Sequence, residues 1–166
     1  MIVTDLSVGI GEVKSSADAT DVLVARGLGS CIGLALVDPA QGVAGLAHIM
    51  LPDSIEAGKS GLRYADCAVP ALLDMLLGLG AKRHRLSVAL VGGAQMFSGR
   101  AIAAGGAVGE RNHAAARAAL TKVNLKVAAE ATGGERGRTV RVEVATGKVE
   151  YREAGGVNVV LLDGAA

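Results

Sequence analysis

The feature that most constrains the fold is the run at residues 31–51, CIGLALVDPAQGVAGLAHIML. Two stretches of small and aliphatic residues flank Asp38-Pro39-Ala40-Gln41-Gly42. There proline presets φ for a turn and glycine allows φ > 0, so the run reads as a β-hairpin. Antiparallel pairing decides which of its side chains meet, and the two that carry chemistry are Cys31 and His48. If Asp38 pairs with Gln41, Cys31 faces His48 directly; if Asp38 pairs with Val43, Cys31 faces Met50 and His48 is its diagonal neighbour. Both registers put the pair on one face. The intermediate loop length sends them to opposite faces unless a bulge at Gly42 restores the phase.

Around the hairpin the pattern alternates. Apolar stretches at 8–13 and 22–24 read as two short strands around Ser15-Ser16-Ala17-Asp18. After a polar loop at 52–61, Ala65, Ala68, Leu72, Leu76 and Leu79 recur at helical spacing, with Pro70 inside the pattern and Gly80 placed to stop it. Residues 86–91 read as a buried strand, followed by Gly92-Gly93 and a Gly/Ala-rich, mobile connection to Gly106. A second helix is expected over 110–123, with an acid at its start and Lys122 near its end to suit the helix dipole. A strand at 125–129, a hairpin over 138–152 turning at Ala145-Thr146-Gly147, and a last strand within 156–163 complete the chain. With no linker and no repeat, residues 1–166 read as one domain. The fold class expected is α+β, a layered α/β sandwich with mixed and antiparallel sheets and two main helices.

Composition removes several function classes. Seventeen Lys and Arg against sixteen Asp and Glu leave a net charge of +1, too little to attract phosphate polyanions. With no Trp, two Tyr and one Phe there is no material for a base-stacking platform, so nucleic acid is not expected as a partner. Gly and charged residues interrupt every apolar run before it reaches membrane-spanning length, and the N-terminus MIVTDLSVGIGEVK lacks the pattern of a signal peptide. A cytoplasmic protein, not itself embedded in a membrane, is expected. Cys31 and Cys67, the two cysteines, show no zinc-site spacing; no metal and no cofactor are expected.

Cys31 follows Gly27-Leu28-Gly29-Ser30. Glycines just before a thiol let the backbone turn tightly and bring N–H groups to a bound carbonyl, so Gly27, Gly29 and Ser30 form a candidate oxyanion and substrate loop. His48 could take the thiol proton, the thiolate could attack a carbonyl carbon, and the same imidazole could later activate water. Free Cys and a lone His in an apolar strand are also common core residues, and spacing alone leaves both readings open.

The stretches GLGSCIGLALVDP, GLAHIMLP and RYAD closely resemble the chemoreceptor glutamine deamidase family of bacterial chemotaxis, CheD. The likeness continues through Val91-Gly92-Gly93-Ala94-Gln95-Met96, Val108-Gly109-Glu110-Arg111-Asn112, Thr132-Gly133-Gly134, Gly137-Arg138 and Thr146-Gly147-Lys148-Val149. The resemblance implies that Cys31 is the nucleophile and His48 its base. It further implies that glutamine side chains of methyl-accepting chemotaxis receptors are converted to glutamate with release of ammonia, through a thioester on Cys31. It implies a partner of the CheC phosphatase type as well. The family usually places Thr or Ser six residues before the nucleophile as a third active-site member, and here that position is Ala25. His48 must then be held by another group, such as a backbone carbonyl or water. The alternative function is a catalytically weakened module that binds a chemotaxis phosphatase or receptor.

Other chemistry-bearing residues are expected in structural roles. Cys67 falls near the apolar stripe of the first helix and reads as packing. His84 and His113 read as surface residues. Arg63 and Asp66 have the spacing of a local ion pair, and Glu110-Arg111-Asn112 reads as a helix start with local pairing. Gly92-Gly93 suits either a strand end or a close approach of substrate backbone.

Overall fold

A computed structural model of the chain describes residues 2–96 and 107–164. In chain order the strands are β1 (Thr4–Ser7), β2 (Val13–Ser16), β3 (Asp21–Leu28), β4 (Ile32–Asp38), β5 (Val43–Ile49), β6 (Ser87–Gly92), β7 (Ala129–Thr132), β8 (Arg138–Glu143), β9 (Val149–Glu153) and β10 (Val159–Leu162). The helices are α1 (Ser54–Ala57), α2 (Ala65–Gly78) and α3 (Val108–Lys122), with one 3-10 turn at Arg83–Arg85. Among the described residues the strands form two five-stranded sheets, ordered β1-β3-β8-β9-β10 and β2-β5-β4-β6-β7. Each is antiparallel except for one parallel pair, β1 with β3 in the first sheet and β6 with β7 in the second. The expected α+β class, with mixed sheets and two main helices, is what the chain adopts.

The central hairpin explains the layering. β4 and β5 are buried along their whole length. Alternation sorts their side chains between two apolar cores. Ile32, Leu34, Leu36, Val43, Ala47 and Ile49 pack in the core shared with α2 and α3, whereas Ala35, Val37, Ala44 and Leu46 pack with Leu23, Val140 and Val142 of the first sheet. A strand buried on both faces carries no polar alternation, which is why the sequence there is apolar apart from Asp38 and His48. Asp38 opposes Val43, leaving 39–42 as the loop. That is the second of the registers read from the sequence.

Several boundaries differ from expectation. The stretch 8–13 is not a strand: β1 ends before it and β2 begins at its last residue, with Gly11 at φ 77 in the connection between them. The strand expected at 125–129 begins at Ala129 instead, because Leu125 and Val127 are drawn into the core beneath the helices. α3 starts at Val108. On β8, Arg138 points inward with Val140 and Val142, so the solvated face is carried by Thr139, Arg141 and Glu143 alone. The connection expected to be mobile lies, over residues 97–106, outside the described residues.

Candidate active site

His48 sits on β5 opposite Gly33. A Cβ built at Gly33 would meet Leu28 and Val140 of the first sheet, so this face of the hairpin looks into the layer between the sheets. The imidazole is 2% exposed there. Its Nδ1 lies 3.0 Å from the Val8 carbonyl oxygen. A carbonyl can only accept, so Nδ1 carries the ring proton and Nε2 keeps its lone pair in the neutral ring. Nε2 is buried and has no hydrogen-bond partner among the described residues. The backbone beneath is fixed as well: the His48 N–H donates to the Glu12 carbonyl, and the Gly11 N–H to that of His48. Val8 in turn donates its N–H to the Val24 carbonyl of β3, so a backbone strut joins the first sheet to the imidazole.

Cys31 stands just before β4, in the same inter-sheet core, 8% exposed. It falls one position beyond the Ile32–Ile49 pair, so Met50 lies opposite it and His48 is the diagonal neighbour. Burial pushes its thiol above the ordinary value. At rest the sulfur is therefore a thiol, and ionising it requires a proton acceptor. The loop before it is shaped by glycine. Gly27 adopts φ 68 and accepts a hydrogen bond from the Gly29 N–H at 3.0 Å. The Gly29 N–H is thus occupied. Among the described residues, no backbone carbonyl accepts from the Ser30 or Cys31 N–H.

On its far side the loop rests on the end of β6. The Gly93 N–H donates to the Cys31 carbonyl at 2.9 Å, and the Ala94 N–H to that of Gly29 at 2.8 Å. Gly92, at φ 114, runs so close that a Cβ there would lie 2.2 Å from the Cys31 oxygen. Gly92-Gly93 therefore serves the close approach of this chain's own backbone. Arg138, 7% exposed, donates to the carbonyls of Gly92 and Gly133 and pairs with Glu153, which holds this strand end from below.

Residues expected in local roles divide. Asn112 does not pair locally. It is fully buried, and its Nδ2 donates to the carbonyls of Ser30 and Met50, each at 2.9 Å. Sequence reading missed it because its partners are backbone groups far along the chain. The Arg63–Asp66 ion pair does not form: Arg63 lies over the Tyr64 ring, and Asp66 accepts from the Ser54 N–H and hydroxyl. Cys67 is half-buried and its thiol lies 3.5 Å from the Ser54 hydroxyl, outside the two apolar cores. His84 is exposed on the 3-10 turn, as expected. His113 is half-buried beside Glu130 at 3.1 Å. Ala25 is fully buried in the inter-sheet core. Among the described residues no group of three His, Cys, Asp or Glu side chains is placed to hold a metal ion, and no helix is long and apolar enough to cross a membrane.

This geometry can be set beside known proteins. Residues 50–153 match the family described as CheD chemotactic sensory transduction. A probable chemoreceptor glutamine deamidase CheD from Desulforamulus reducens is 39% identical over 153 residues, covering 91% of this chain and 92% of the relative. A second, from Geobacter metallireducens, is 41% identical over 150 residues, 89% of this chain and 92% of its own length. One from Methanococcus vannielii is 43% identical over 147 residues, 88% of this chain and 90% of its own length. Likeness at this level, over nearly the whole of both chains, is a relationship of whole domains and not of one motif: the chain belongs to the CheD family.

Proposed function

We propose that this chain is a protein-glutamine deamidase of methyl-accepting chemotaxis receptors, with Cys31 as nucleophile and His48 as its base. The relatives bear the name chemoreceptor glutamine deamidase. The observation that carries the assignment of residues is the Val8 carbonyl on His48 Nδ1, which leaves an unpartnered Nε2 in the same inter-sheet layer as the thiol.

The reaction runs as follows. Nε2 takes the Cys31 proton while the sulfur attacks the carboxamide carbon of a receptor glutamine. The oxygen gains the negative charge and is met by the N–H groups of Ser30 and Cys31. Collapse breaks the C–N bond, and the imidazolium gives its proton to the departing nitrogen, which leaves as ammonia. Nε2 then takes a proton from water, whose oxygen attacks the thioester. Breaking the C–S bond returns the proton to sulfur and yields glutamate. The raised thiol pKa fits a base that acts during attack on a neutral thiol, not a standing thiolate. The two free thiols suit a reducing cytoplasm. A CheC-type phosphatase is the further partner that family membership suggests.

The test is ammonia release from a glutamine-containing receptor fragment. Cys31→Ala should abolish it, and release that survives the substitution rules Cys31 out as nucleophile. The buried thiol and Ala25 favour a second reading, a binding module without turnover. That reading predicts no ammonia from the wild-type protein.

A further inference from the structure

Asn112 hydrogen-bonds to both halves of the candidate site, and it comes from a different layer of the fold. It projects from the first turns of α3 and is fully buried. One Nδ2 proton goes to the Ser30 carbonyl and the other to the Met50 carbonyl. Both partners are carbonyls, so the amide orientation follows from chemistry: the reverse flip would set oxygen against two oxygens. The Oδ1 is left buried with no partner among the described residues. An orphaned buried acceptor is costly, and a residue placed only for packing would avoid it.

The two accepting carbonyls are informative. The Ser30 carbonyl belongs to the same peptide unit as the Cys31 N–H. A hydrogen bond to the oxygen of a peptide polarises that unit and strengthens its N–H as a donor. The Met50 carbonyl belongs to the residue facing Cys31 across the hairpin. Asn112 therefore pins the nucleophile's peptide to the strand that carries His48. On the other side of Cys31, the Gly93 N–H fixes the next carbonyl. The peptide N–H of Cys31 is thus aimed from both ends.

We propose that Asn112 is a positioning residue for the deamidation: through the Ser30 carbonyl it orients and polarises the Cys31 N–H that receives the oxyanion. This rests on the reading of Cys31 as nucleophile. The closeness of Gly109 to the carbonyls of Gly93 and Ala94, where a Cβ would fall within 2.6 Å, keeps the start of α3 seated against the site so that the amide reaches.

The experiment compares Asn112→Ala, Asn112→Asp and wild type in ammonia release from a receptor fragment across a pH series. Asn112→Ala should lower kcat about tenfold or more with KM within about twofold, because the lost interaction matters once charge develops on oxygen. Its pH profile should keep the wild-type limbs, since the substitution leaves the Cys31–His48 pair in place. In Asn112→Asp, of equal size, a neutral carboxylic acid can still donate to one carbonyl but a carboxylate repels both. Its kcat should therefore fall relative to wild type as pH rises, adding a descending limb. A kcat for Asn112→Ala within about twofold of wild type overturns the proposal. So does a loss accompanied by displaced limbs, which marks a broken Cys31–His48 pair instead. If the alanine variant does not fold, the aspartate variant decides, and absence of the extra limb overturns the proposal. Failure of the underlying reading looks different: Cys31→Ala then stays active, or wild type releases no ammonia.

Discussion

At Ala25 the chain lacks the hydroxyl that its resemblance to the family leads one to expect, and yet the His48 ring is oriented, because a main-chain carbonyl has the same ability to accept from Nδ1. The Val8 carbonyl is well suited to this, since its own N–H is tied to Val24, the residue before Ala25. The strut thus runs from the neighbourhood of the missing hydroxyl to the imidazole. Ala25→Ser tests whether the ring needs anything more. A hydroxyl in this fully buried position should cost about 1–3 kcal/mol if it finds no partner, read as a lowered urea midpoint. Turnover should stay within about twofold of wild type, because the Nδ1 proton is already committed. A several-fold rise in kcat would mean that the carbonyl does not hold the ring. Cys31 and His48 were legible in the sequence because their own side chains carry the chemistry. Val8 and Asn112 were not. One contributes only a backbone oxygen, which no residue type encodes, and the other reaches carbonyls 82 and 62 residues away.

The elements that could be read correctly carry their pattern within their own stretch. β4, β5 and β6 are almost wholly apolar, α2 shows its stripe of Ala65, Ala68, Leu72 and Leu76, and β8 alternates between buried and half-buried positions. The shorter strands were misplaced where their identity depends on a distant partner: β1 exists by parallel pairing with β3, and β7 by parallel pairing with β6. Such pairing leaves little trace in a four-residue stretch. Between α2 and β5 the packing turns on one small residue. A Cβ at Gly45 would fall 2.5 Å from the terminal methyls of both Leu72 and Leu76. Gly45→Ala must then push the helix off the sheet or force both leucines out of their rotamers, at about 1–3 kcal/mol. The expected result is a lower urea midpoint with an unchanged slope. An alanine variant as stable as wild type would show that α2 is not seated on this strand as closely as described. His48 lies on the same strand, so a helix displaced here also disturbs the platform of the candidate base.

Taken as a whole, the molecule places Cys31 and His48 between its two sheets and brings Asn112 to them from the helical layer, so the site exists only when all three layers are assembled. At the other end of β4, Asp38 performs the matching structural task. It is fully buried and accepts from the Arg85 guanidinium, the Lys82 N–H and the Gln41 N–H, joining the hairpin turn to the segment that leads into β6. Burial by itself raises this carboxyl, but the hydrogen bonds from Arg85, Lys82 and Gln41 together outweigh it and hold the group below its ordinary value of 3.8. Asp66 and Glu130 are lowered too: burial by itself raises them, but hydrogen bonds and nearby charges, led by the hydrogen bonds from Ser54 and from His113, outweigh it; Glu143 is lowered chiefly by its hydrogen bond from Lys148. A carboxyl that is more acidic in the folded chain binds protons less readily there than in the unfolded chain. Its contribution is therefore complete above the ordinary carboxylate range and is lost as pH falls through the folded-state value. Stability measured by urea unfolding should be nearly level from neutral pH down to about pH 5 and decline below about pH 4. Asp38→Asn isolates the contribution of the fully buried carboxylate. At neutral pH it should cost about 1–3 kcal/mol, because the fully buried position then holds a neutral amide against the half-buried Arg85 guanidinium and loses its charge-assisted hydrogen bonds. As pH falls below the ordinary carboxylate range, the unfolded wild-type chain takes up a proton that folded Asp38 resists, so the gap between the two proteins should narrow. A gap that stays constant down to about pH 3 would show that the shape of the Asp38 side chain, and not its charge, fastens the hairpin to the rest of the fold.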